Sequence, residues 1–274
     1  MTLAGDVALA AAAVLILLLL WHVSNSCRYY VKFTVFLLLS LFFGSVFIPL
    51  MLFRPRDWRN ALLPAWGARQ ISKILGIKFH LRGLDNVVTD SGCVVVINHQ
   101  SCLDLLVLAE LWPKLKRCTV ISKKEVFYLW PFGLAAWLWG TIYINRLNVE
   151  QAQAAINSTA DTIKNGKMKL CMFPEGTRNN GPTLLPFKKG AFHVAIASQT
   201  PVQPVVVTRY YFLESKEKIF NPGKAVITIL PPIDTTGLKK EDVGSLVERT
   251  RELMLNVHAS STELLLQNIK NKDM

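Results

Sequence analysis

Two long apolar segments at the N-terminus constrain this 274-residue chain more than any other feature of its sequence. The first, Val7 to Val23, is at the lower length limit for a membrane-spanning helix, whereas the second, Val31 to Phe53, is long enough to span. Asp6 but no Lys or Arg precedes the first segment, and no clear small-residue cleavage site follows, so a cleaved export signal is not indicated. The segments predict attachment to a membrane, by spanning helices or by a hairpin buried in one leaflet.

The charges that flank these segments indicate an orientation. Arg28 and Lys32 lie where the two segments meet, and a larger basic group follows the second one: Arg54, Arg56, Arg59, Arg69 and Lys73. Basic residues accumulate on the cytosolic side of membrane segments, so the rest of the chain is expected to face the cytosol. We therefore predict a hydrophobic membrane-anchoring part over residues 1–55 and a larger folded domain over residues 56–274.

The net charge of +12, from 31 Lys and Arg against 19 Asp and Glu, indicates an anionic partner. A phosphate-bearing small molecule and an acidic membrane surface both fit this charge. Nucleic acid is not expected, because the sequence contains no recognisable nucleic-acid-binding module. The five cysteines lack C-x-x-C spacing and the five histidines form no ligand pair, so neither a metal site nor a disulfide framework is predicted.

Beyond residue 76, short apolar runs alternate with helical patterns. The runs that predict strands are Lys78–Leu81, Cys93–Ile97, Thr119–Ser122, Thr141–Ile144, Lys169–Phe173, Val205–Thr208 and Ala225–Leu230. Helices are predicted over residues 57–76, 148–163 and 241–258. This alternation predicts an α/β fold in which a mixed sheet is covered by helices and preceded by the N-terminal hydrophobic hairpin.

The apolar stretch from Val126 to Ile144 is also long enough to cross a membrane. A crossing there would place residues 98–104 and 173–190 on opposite sides of the bilayer, although the motifs in these two segments are expected to act together. We therefore interpret the stretch as buried or interfacial, lining a groove for a lipid tail.

The segment N-H-Q-S-C-L-D, residues 98–104, directly follows a predicted strand. Ser101 and Asp104 fit the start of a helix, with the serine as N-cap and the acid in the first turn. That reading leaves His99 unexplained at a strand end, where open α/β sheets place reacting groups. With a turn between them, Asp104 can instead reach back and orient His99 as a catalytic base, and the residues alone leave both alternatives open. Cys102 fits a packed thiol better than a nucleophile.

The segment F-P-E-G-T-R-N-N, residues 173–180, follows another predicted strand. Gly176 permits a tight turn, and the planar guanidinium of Arg178 suits phosphate binding, with Glu175 holding either that arginine or the local backbone. A charged surface turn is the alternative. Other basic residues favour the phosphate interpretation. Arg146 lies at the end of another predicted strand, and Lys188 and Lys189 follow the F-P-E-G-T-R-N-N segment closely.

Taken in order, four segments resemble the motif blocks of the glycerophospholipid acyltransferase family. They are N-H-Q-S-C-L-D, G-T-I-Y-I-N-R, F-P-E-G-T-R and L-P-F-K-K-G-A-F, followed by P-V-Q-P-V-V-V. The resemblance covers residues 55–260 and is strongest to the 1-acylglycerol-3-phosphate acyltransferases, also called lysophosphatidic acid acyltransferases.

The resemblance implies a role for each matching residue. His99 would be the general base, and Asp104 would orient it. The acceptor phosphate pocket would be formed by Arg146, Glu175, Gly176, Thr177 and Arg178. Contacts to the acyl donor or a phosphate would come from Lys188, Lys189 and Gly190. No metal and no bound cofactor are implied.

The implied reaction transfers a fatty acyl group from acyl-CoA, a co-substrate, to the sn-2 hydroxyl of lysophosphatidic acid. The product is phosphatidic acid, and no acyl-enzyme forms. The partners would therefore be acyl-CoA and membrane lipids, and the sequence identifies no protein partner. The alternatives are an acyltransferase for another lysophospholipid or for glycerol 3-phosphate, and a non-catalytic membrane lipid-binding protein.

The C-terminal sequence K-N-K-D-M resembles a retrieval signal for the endoplasmic reticulum, through Lys270 and Lys272. Together with the implied product, it predicts that the protein resides in the endoplasmic reticulum membrane with its catalytic domain, residues 56–274, facing the cytosol.

Overall fold

The structure is a computed structural model that describes residues 21–144 and 159–271, together with residues 6, 7, 9 and 12. The helices are α1 (Asn25–Ser45), α2 (Ile48–Met51), α3 (Leu62–Ile74), α4 (Asp104–Leu115), α5 (Phe132–Leu138), α6 (Gly190–Ser198) and α7 (Val243–Lys270). Residues 159–166 are also helical. Short 3-10 helices cover Trp58–Ala61, Leu84–Asn86, Lys124–Tyr128 and Lys240–Asp242.

The strands are β1 (Ile77–Arg82), β2 (Cys93–Ile97), β3 (Cys118–Lys123), β4 (Ile142–Ile144), β5 (Lys169–Met172), β6 (Val202–Val207), β7 (Leu213–Glu214), β8 (Ile219–Phe220) and β9 (Gly223–Ile229). Seven of them form one sheet in the order β1-β9-β6-β2-β5-β3-β4, and β7 pairs with β8 in a separate hairpin. All neighbours in the large sheet are parallel except β6 and β9, which are antiparallel. The predicted mixed α/β sheet is therefore confirmed.

The centre of the sheet is buried on both faces. Along β2 the side chains alternate, so that Cys93, Val95 and Ile97 belong to one apolar cluster while Val94 and Val96 belong to another. The first cluster includes residues of α3 and α4, and the second includes residues of α6 and α7. This two-sided cover explains why β2 reads as an uninterrupted apolar run.

Helix α1 lies against the folded domain instead of standing apart from it. Its first turn is capped by Ser24, whose Oγ accepts a hydrogen bond from the Cys27 N–H at 3.2 Å. Phe36 is fully buried in the core, and Phe43 packs so closely on α3 that a Cβ at Gly67 would lie 2.4 Å from its ring. The opposite face of α1 leaves Leu38 and Phe42 exposed.

Within the described residues, Asn25–Met51 is the one helical stretch that is long and apolar enough to cross a membrane, and 11% of its most apolar window is buried. This stretch is compatible with membrane association. Most of the first apolar segment, residues 7–20, lies outside the described residues apart from residues 7, 9 and 12, so the hairpin stays a prediction.

The apolar stretch after β3 does not form a third long helix. Residues 124–144 form a 3-10 helix, α5 and β4 in turn, and Trp130–Pro131 separates the first two. Tyr143 Oη donates to the Gly133 carbonyl at 3.1 Å and thereby ties β4 to α5. The described residues contain no long helix here, and the interpretation as a buried or interfacial segment stays a prediction.

Candidate active site

The sheet topology brings three loops to one edge. Strands β6, β2 and β5 are parallel neighbours, so the loops that follow Val207, Ile97 and Met172 emerge side by side. The first motif, residues 98–104, and the second, residues 173–180, therefore face each other, as the sequence analysis required.

The loops after Ile97 and Met172 form part of the wall of a cleft of about 660 Å³. Most of the lining is apolar and comes from α1, α3, α4 and the segment 126–139, whereas His99, Asp104 and Arg178 contribute polar groups to the same wall. A cleft of this size with few polar groups is typical of a small-molecule site. The predicted groove is thus present beside the two motifs, and α1 forms one side of it.

His99 and Asp104 form a hydrogen-bonded pair. The distance between His99 Nδ1 and Asp104 Oδ2 is 2.7 Å, and the histidine side chain is 20% exposed while the aspartate is buried. Because the carboxylate binds Nδ1, the other ring nitrogen, Nε2, is not engaged by Asp104, and His99 lines the cleft. The described residues give Nε2 no hydrogen-bond partner.

The Asp104 carboxylate is held by three more donors. The backbone N–H groups of Gln100 and Ser101 donate to Oδ2 at 2.7 and 3.1 Å. Tyr210 Oη donates to Oδ1 at 2.8 Å, and Tyr210 is fully buried. Asp104 therefore does both things that the sequence left open: it begins α4 and binds the preceding backbone, and it orients His99.

The expected capping role of Ser101 is wrong. Helix α4 begins at Asp104 with Leu103 at the N-cap and no side-chain cap, and the Ser101 hydroxyl instead accepts from the Leu103 N–H at 3.3 Å. The physical reason is that residues 102 and 103 form a turn, so the helix begins later than a cap at Ser101 would place it.

Two buried amides join the first motif to the end of β6. Asn98 exchanges hydrogen bonds with the Val207 backbone at 3.0 and 2.7 Å. Gln100 Nε2 donates to the Thr208 carbonyl at 3.1 Å, and Gln100 Oε1 accepts from the Tyr210 N–H at 3.0 Å. These bonds position Tyr210 beneath Asp104.

The second motif supports His99 from the other side. Phe173 stacks on the imidazole with ring centroids 4.2 Å apart. Glu175 is buried, and its two oxygens accept from the backbone N–H groups of His99 at 2.7 Å and Leu185 at 2.9 Å. Burial raises the pKa of Glu175 above its ordinary value, and these two hydrogen bonds oppose the shift. Glu175 thus holds the local backbone, one of the two roles considered for it.

Gly176 brings Lys188 close to this loop. Its φ of +70° is unfavourable for other residues, and a Cβ there would lie 2.7 Å from Lys188 Nζ. The Lys188 N–H also donates to the Pro174 carbonyl at 2.8 Å. The motif glycine therefore serves both a left-handed turn and a close side-chain approach.

The remaining predicted residues differ in position. Arg178 and Thr177 are exposed, and Arg178 lines the cleft. Lys189 precedes α6 as its N-cap residue, and Gly190 opens α6, where a Cβ would meet no atom within 4 Å. Arg146 lies outside the described residues.

The thiol of Cys102 lies in the cleft wall. Burial raises its pKa above the ordinary value, against the opposing effects of the Ser101 hydroxyl and of Arg178. A thiol that resists ionisation is a poor nucleophile, so the packed role fits it better. No group of three or more potential metal ligands occurs in the part of the chain that the structure describes.

Three features of the site were not predicted from the sequence: Tyr210, Phe173 and the contribution of α1 to the cleft. Phe173 stands at the start of the second motif, where the sequence predicts only the end of a strand. Tyr210 follows the predicted strand over 205–208, but nothing in its local sequence links it to Asp104.

Comparison with known proteins defines the class. Residues 78–208 match the family model described as Acyltransferase. A solved structure titled as the 1-acyl-sn-glycerophosphate (LPA) acyltransferase PlsC from Thermotoga maritima has the same fold, with a TM-score of 0.66 at 22% identity, over 88% of this chain and 97% of that one. The fold, the sequence motifs and the match to the family model together define this protein as an acyltransferase.

Curated relatives narrow this class. The 1-acyl-sn-glycerol-3-phosphate acyltransferase alpha of Bos taurus is 37% identical over 239 residues, which cover 87% of this chain and 83% of the relative. The beta enzyme of Homo sapiens is 35% identical over 257 residues, 92% of each chain. The chain therefore belongs to the 1-acyl-sn-glycerol-3-phosphate acyltransferase family.

Proposed function

We propose that this protein transfers a fatty acyl group from acyl-CoA to the sn-2 hydroxyl of 1-acyl-sn-glycerol 3-phosphate, lysophosphatidic acid, and releases phosphatidic acid and CoA. The observation that carries the proposal is the His99–Asp104 pair, 2.7 Å apart, in the wall of a largely apolar cleft that also contains Arg178. The names of the relatives support lysophosphatidic acid as the acceptor.

The proposed step needs a base but no covalent enzyme intermediate. His99 Nε2 takes the proton of the 2-hydroxyl while its oxygen attacks the thioester carbonyl, and Asp104 stabilises the imidazolium that forms. Collapse of the tetrahedral intermediate breaks the carbon–sulfur bond, and the CoA sulfur leaves with the proton from His99. The raised pKa of the Cys102 thiol supports this route over an acyl-cysteine.

The phosphate of the acceptor is assigned to the basic groups of the second motif. Arg178 lines the cleft that contains His99, and the side chain of Lys188 packs directly against Gly176 of the second motif. Arg146 is proposed as a second arginine for the same phosphate, with Thr177 beside it. Guanidinium groups suit phosphate oxygens because they donate two parallel hydrogen bonds. Lys189 and Gly190, at the start of α6, are proposed to contact the acyl donor or its phosphates.

The apolar part of the cleft is assigned to acyl chains. Because α1 forms one wall and leaves its outer face apolar, a lipid could pass from the bilayer to His99 without crossing water. We propose that the apolar helix holds the catalytic domain on the cytosolic side of the endoplasmic reticulum membrane, where the product would enter phospholipid and triacylglycerol synthesis.

The test is acyl transfer from labelled oleoyl-CoA to a panel of lysolipids by membranes that contain wild type, His99→Ala or Cys102→Ala. We expect product with lysophosphatidic acid for wild type and Cys102→Ala, and none for His99→Ala at equal amounts of folded protein. Product mainly from lysophosphatidylcholine would change the acceptor, and product from no acceptor would favour the lipid-binding alternative. Substantial transfer by His99→Ala would remove that residue from the role of base.

A further inference from the structure

A second cavity, of about 320 Å³, lies along the N-terminal half of α1. We call it the α1 crevice. It is lined by α1, by the end of α3 and by the residues around Phe220, and its walls include Arg28, Val31, Lys32 and Ile74. Among the described residues none lines both the α1 crevice and the His99 cleft. The two cavities are therefore separate sites on the same helix.

Two cations face the α1 crevice without a counter-ion. Arg28 and Lys32 are four residues apart on α1 and so lie on the same side of the helix, where like charges repel. In the described parts of the chain, no carboxylate comes within 4.0 Å of either side chain. Two neighbouring positive charges without a nearby carboxylate attract an anion.

The partners that these cations do have are neutral. Lys32 is 7% exposed, and its Nζ donates to the Leu75 carbonyl at 3.2 Å and lies 4.9 Å from the centroid of the Phe220 ring. Arg28 donates to the carbonyls of Trp21 and His22 at 2.9 and 3.1 Å, and to the side-chain oxygen of Asn25. Carbonyl and ring contacts hold the side chains in place, but they leave the buried charge of Lys32 without full compensation.

The surroundings of the α1 crevice are apolar on the side that faces outward. Val31 is 37% exposed and Ile74 is 62% exposed, and both line the crevice. They continue into the exposed apolar face of α1 that includes Leu38. A small soluble anion would make no favourable contact with these apolar side chains. A lipid would pack its acyl chains against them and place its charged group near Arg28 and Lys32.

We propose that the α1 crevice binds the headgroup phosphate of an anionic membrane phospholipid. This lipid is distinct from the acceptor in the His99 cleft. Its phosphate would neutralise the two like charges and connect α1 with α3 and the β7–β8 hairpin. Because a ligand that binds only the folded state stabilises it, the bound lipid would hold α1 in the position where it forms a wall of the cleft.

The test uses the purified full-length chain in a neutral detergent and measures the midpoint of thermal unfolding. The additives are dioctanoyl phosphatidylglycerol, dioctanoyl phosphatidylcholine and inorganic phosphate. We expect a concentration-dependent rise with phosphatidylglycerol alone. In the double variant Arg28→Gln/Lys32→Met the apparent Kd should weaken by about tenfold or more, because two charge-assisted contacts are lost.

The controls separate charge, packing and site. Lys32→Arg keeps the charge and should keep the rise, and Lys78→Gln removes an exposed charge on β1 outside the crevice and should also keep it. If the double variant does not fold, Arg28→Gln alone leaves the packing of Lys32 intact and should still weaken binding. Arg178→Ala should leave the rise unchanged.

Several results would overturn the proposal. They are an equal rise with phosphatidylcholine, an equal rise with inorganic phosphate, unchanged affinity in the folded double variant, or loss of the rise in Arg178→Ala, which would place the lipid in the His99 cleft. None of these measurements requires acyl transfer. The lipid-binding test therefore remains valid even if the protein does not acylate lysophosphatidic acid.

Discussion

Asp104→Asn tests the proposed mechanism with little change in shape. The asparagine oxygen can occupy the place of Oδ2, where it accepts from His99 Nδ1 and from the Gln100 and Ser101 N–H groups. Its amide nitrogen then faces Tyr210 Oη, which can turn its hydrogen and accept. The hydrogen bonds survive in this arrangement, and only the negative charge is lost.

The size of the effect follows from the geometry. Imidazolium and carboxylate separated by 2.7 Å between Nδ1 and Oδ2 have charge centres roughly 4 Å apart, where two unit charges interact by about 4 kcal/mol at an effective dielectric constant near 20. Every 1.4 kcal/mol or so corresponds to a tenfold change in rate. Because the imidazolium forms only during the reaction, we expect kcat to fall by about 10²- to 10³-fold with a small change in KM.

The assay is the initial rate of transfer from labelled oleoyl-CoA to lysophosphatidic acid, with the thermal midpoint measured on the same preparations. Asp234→Asn, which changes an exposed carboxylate, serves as the matched control and should retain the wild-type rate. A variant of Asp104 that is as stable as wild type and works within about threefold of its rate would refute the charge role. If the variant instead loses stability to an extent that accounts for its lower rate, the role of Asp104 is structural.

Three further predictions come from the same contacts. Tyr210→Phe removes a buried donor to Asp104, so we expect a loss of about 1–3 kcal/mol of stability and a shifted pH–rate profile; an unshifted profile would limit Tyr210 to a structural role. Gly176→Ala places a Cβ in a left-handed turn and against Lys188. We expect about 1 kcal/mol of destabilisation and a raised KM for lysophosphatidic acid. An unchanged KM would show that Lys188 does not contact the acceptor. His258 is buried with no partner for Nδ1 in the described residues, and burial lowers its pKa, with Arg209 adding to the effect. Since the folded state then binds fewer protons than the unfolded state, its contribution to stability is full above about pH 6.5 and is lost as pH falls, by up to about 1.4 kcal/mol per pH unit. His258→Leu should flatten unfolding midpoints measured between pH 7.5 and 5.5, and an equal slope in both proteins would contradict this account.

The large sheet was predictable from local patterns because its strands are short apolar runs that end at turns. All seven predicted strands occur, and β2 has the predicted bounds, Cys93–Ile97. Strand β6 begins at Val202, earlier than predicted, and contains Pro204, a residue that is unusual inside a sheet. The β7–β8 hairpin was missed, since two-residue strands show no alternation.

Helix predictions failed mainly at the ends. Helix α7 continues to Lys270, twelve residues past the predicted end at His258, through the polar run that follows. Leu265, which is buried, shows that packing sustains the helix where the local pattern weakens. The helix predicted over residues 148–163 lies mostly outside the described residues, and its described part is helical from 159 to 166.

By itself the sequence determined most of the elements and which nearby residues are available for chemistry, although it left the role of Asp104 open. The apolar helix, the strand runs, the His99–Asp104 pair and the turn at Gly176 each depend on residues within a few positions of one another. Only the tertiary structure decided which distant groups complete the site. Tyr210 reaches Asp104 across 106 residues, Glu175 holds the His99 backbone across 76, and α1 closes one side of the cleft. The physical reason is that parallel strands are joined by long connections, so the order of strands in the sheet, which no local pattern encodes, decides which loops meet.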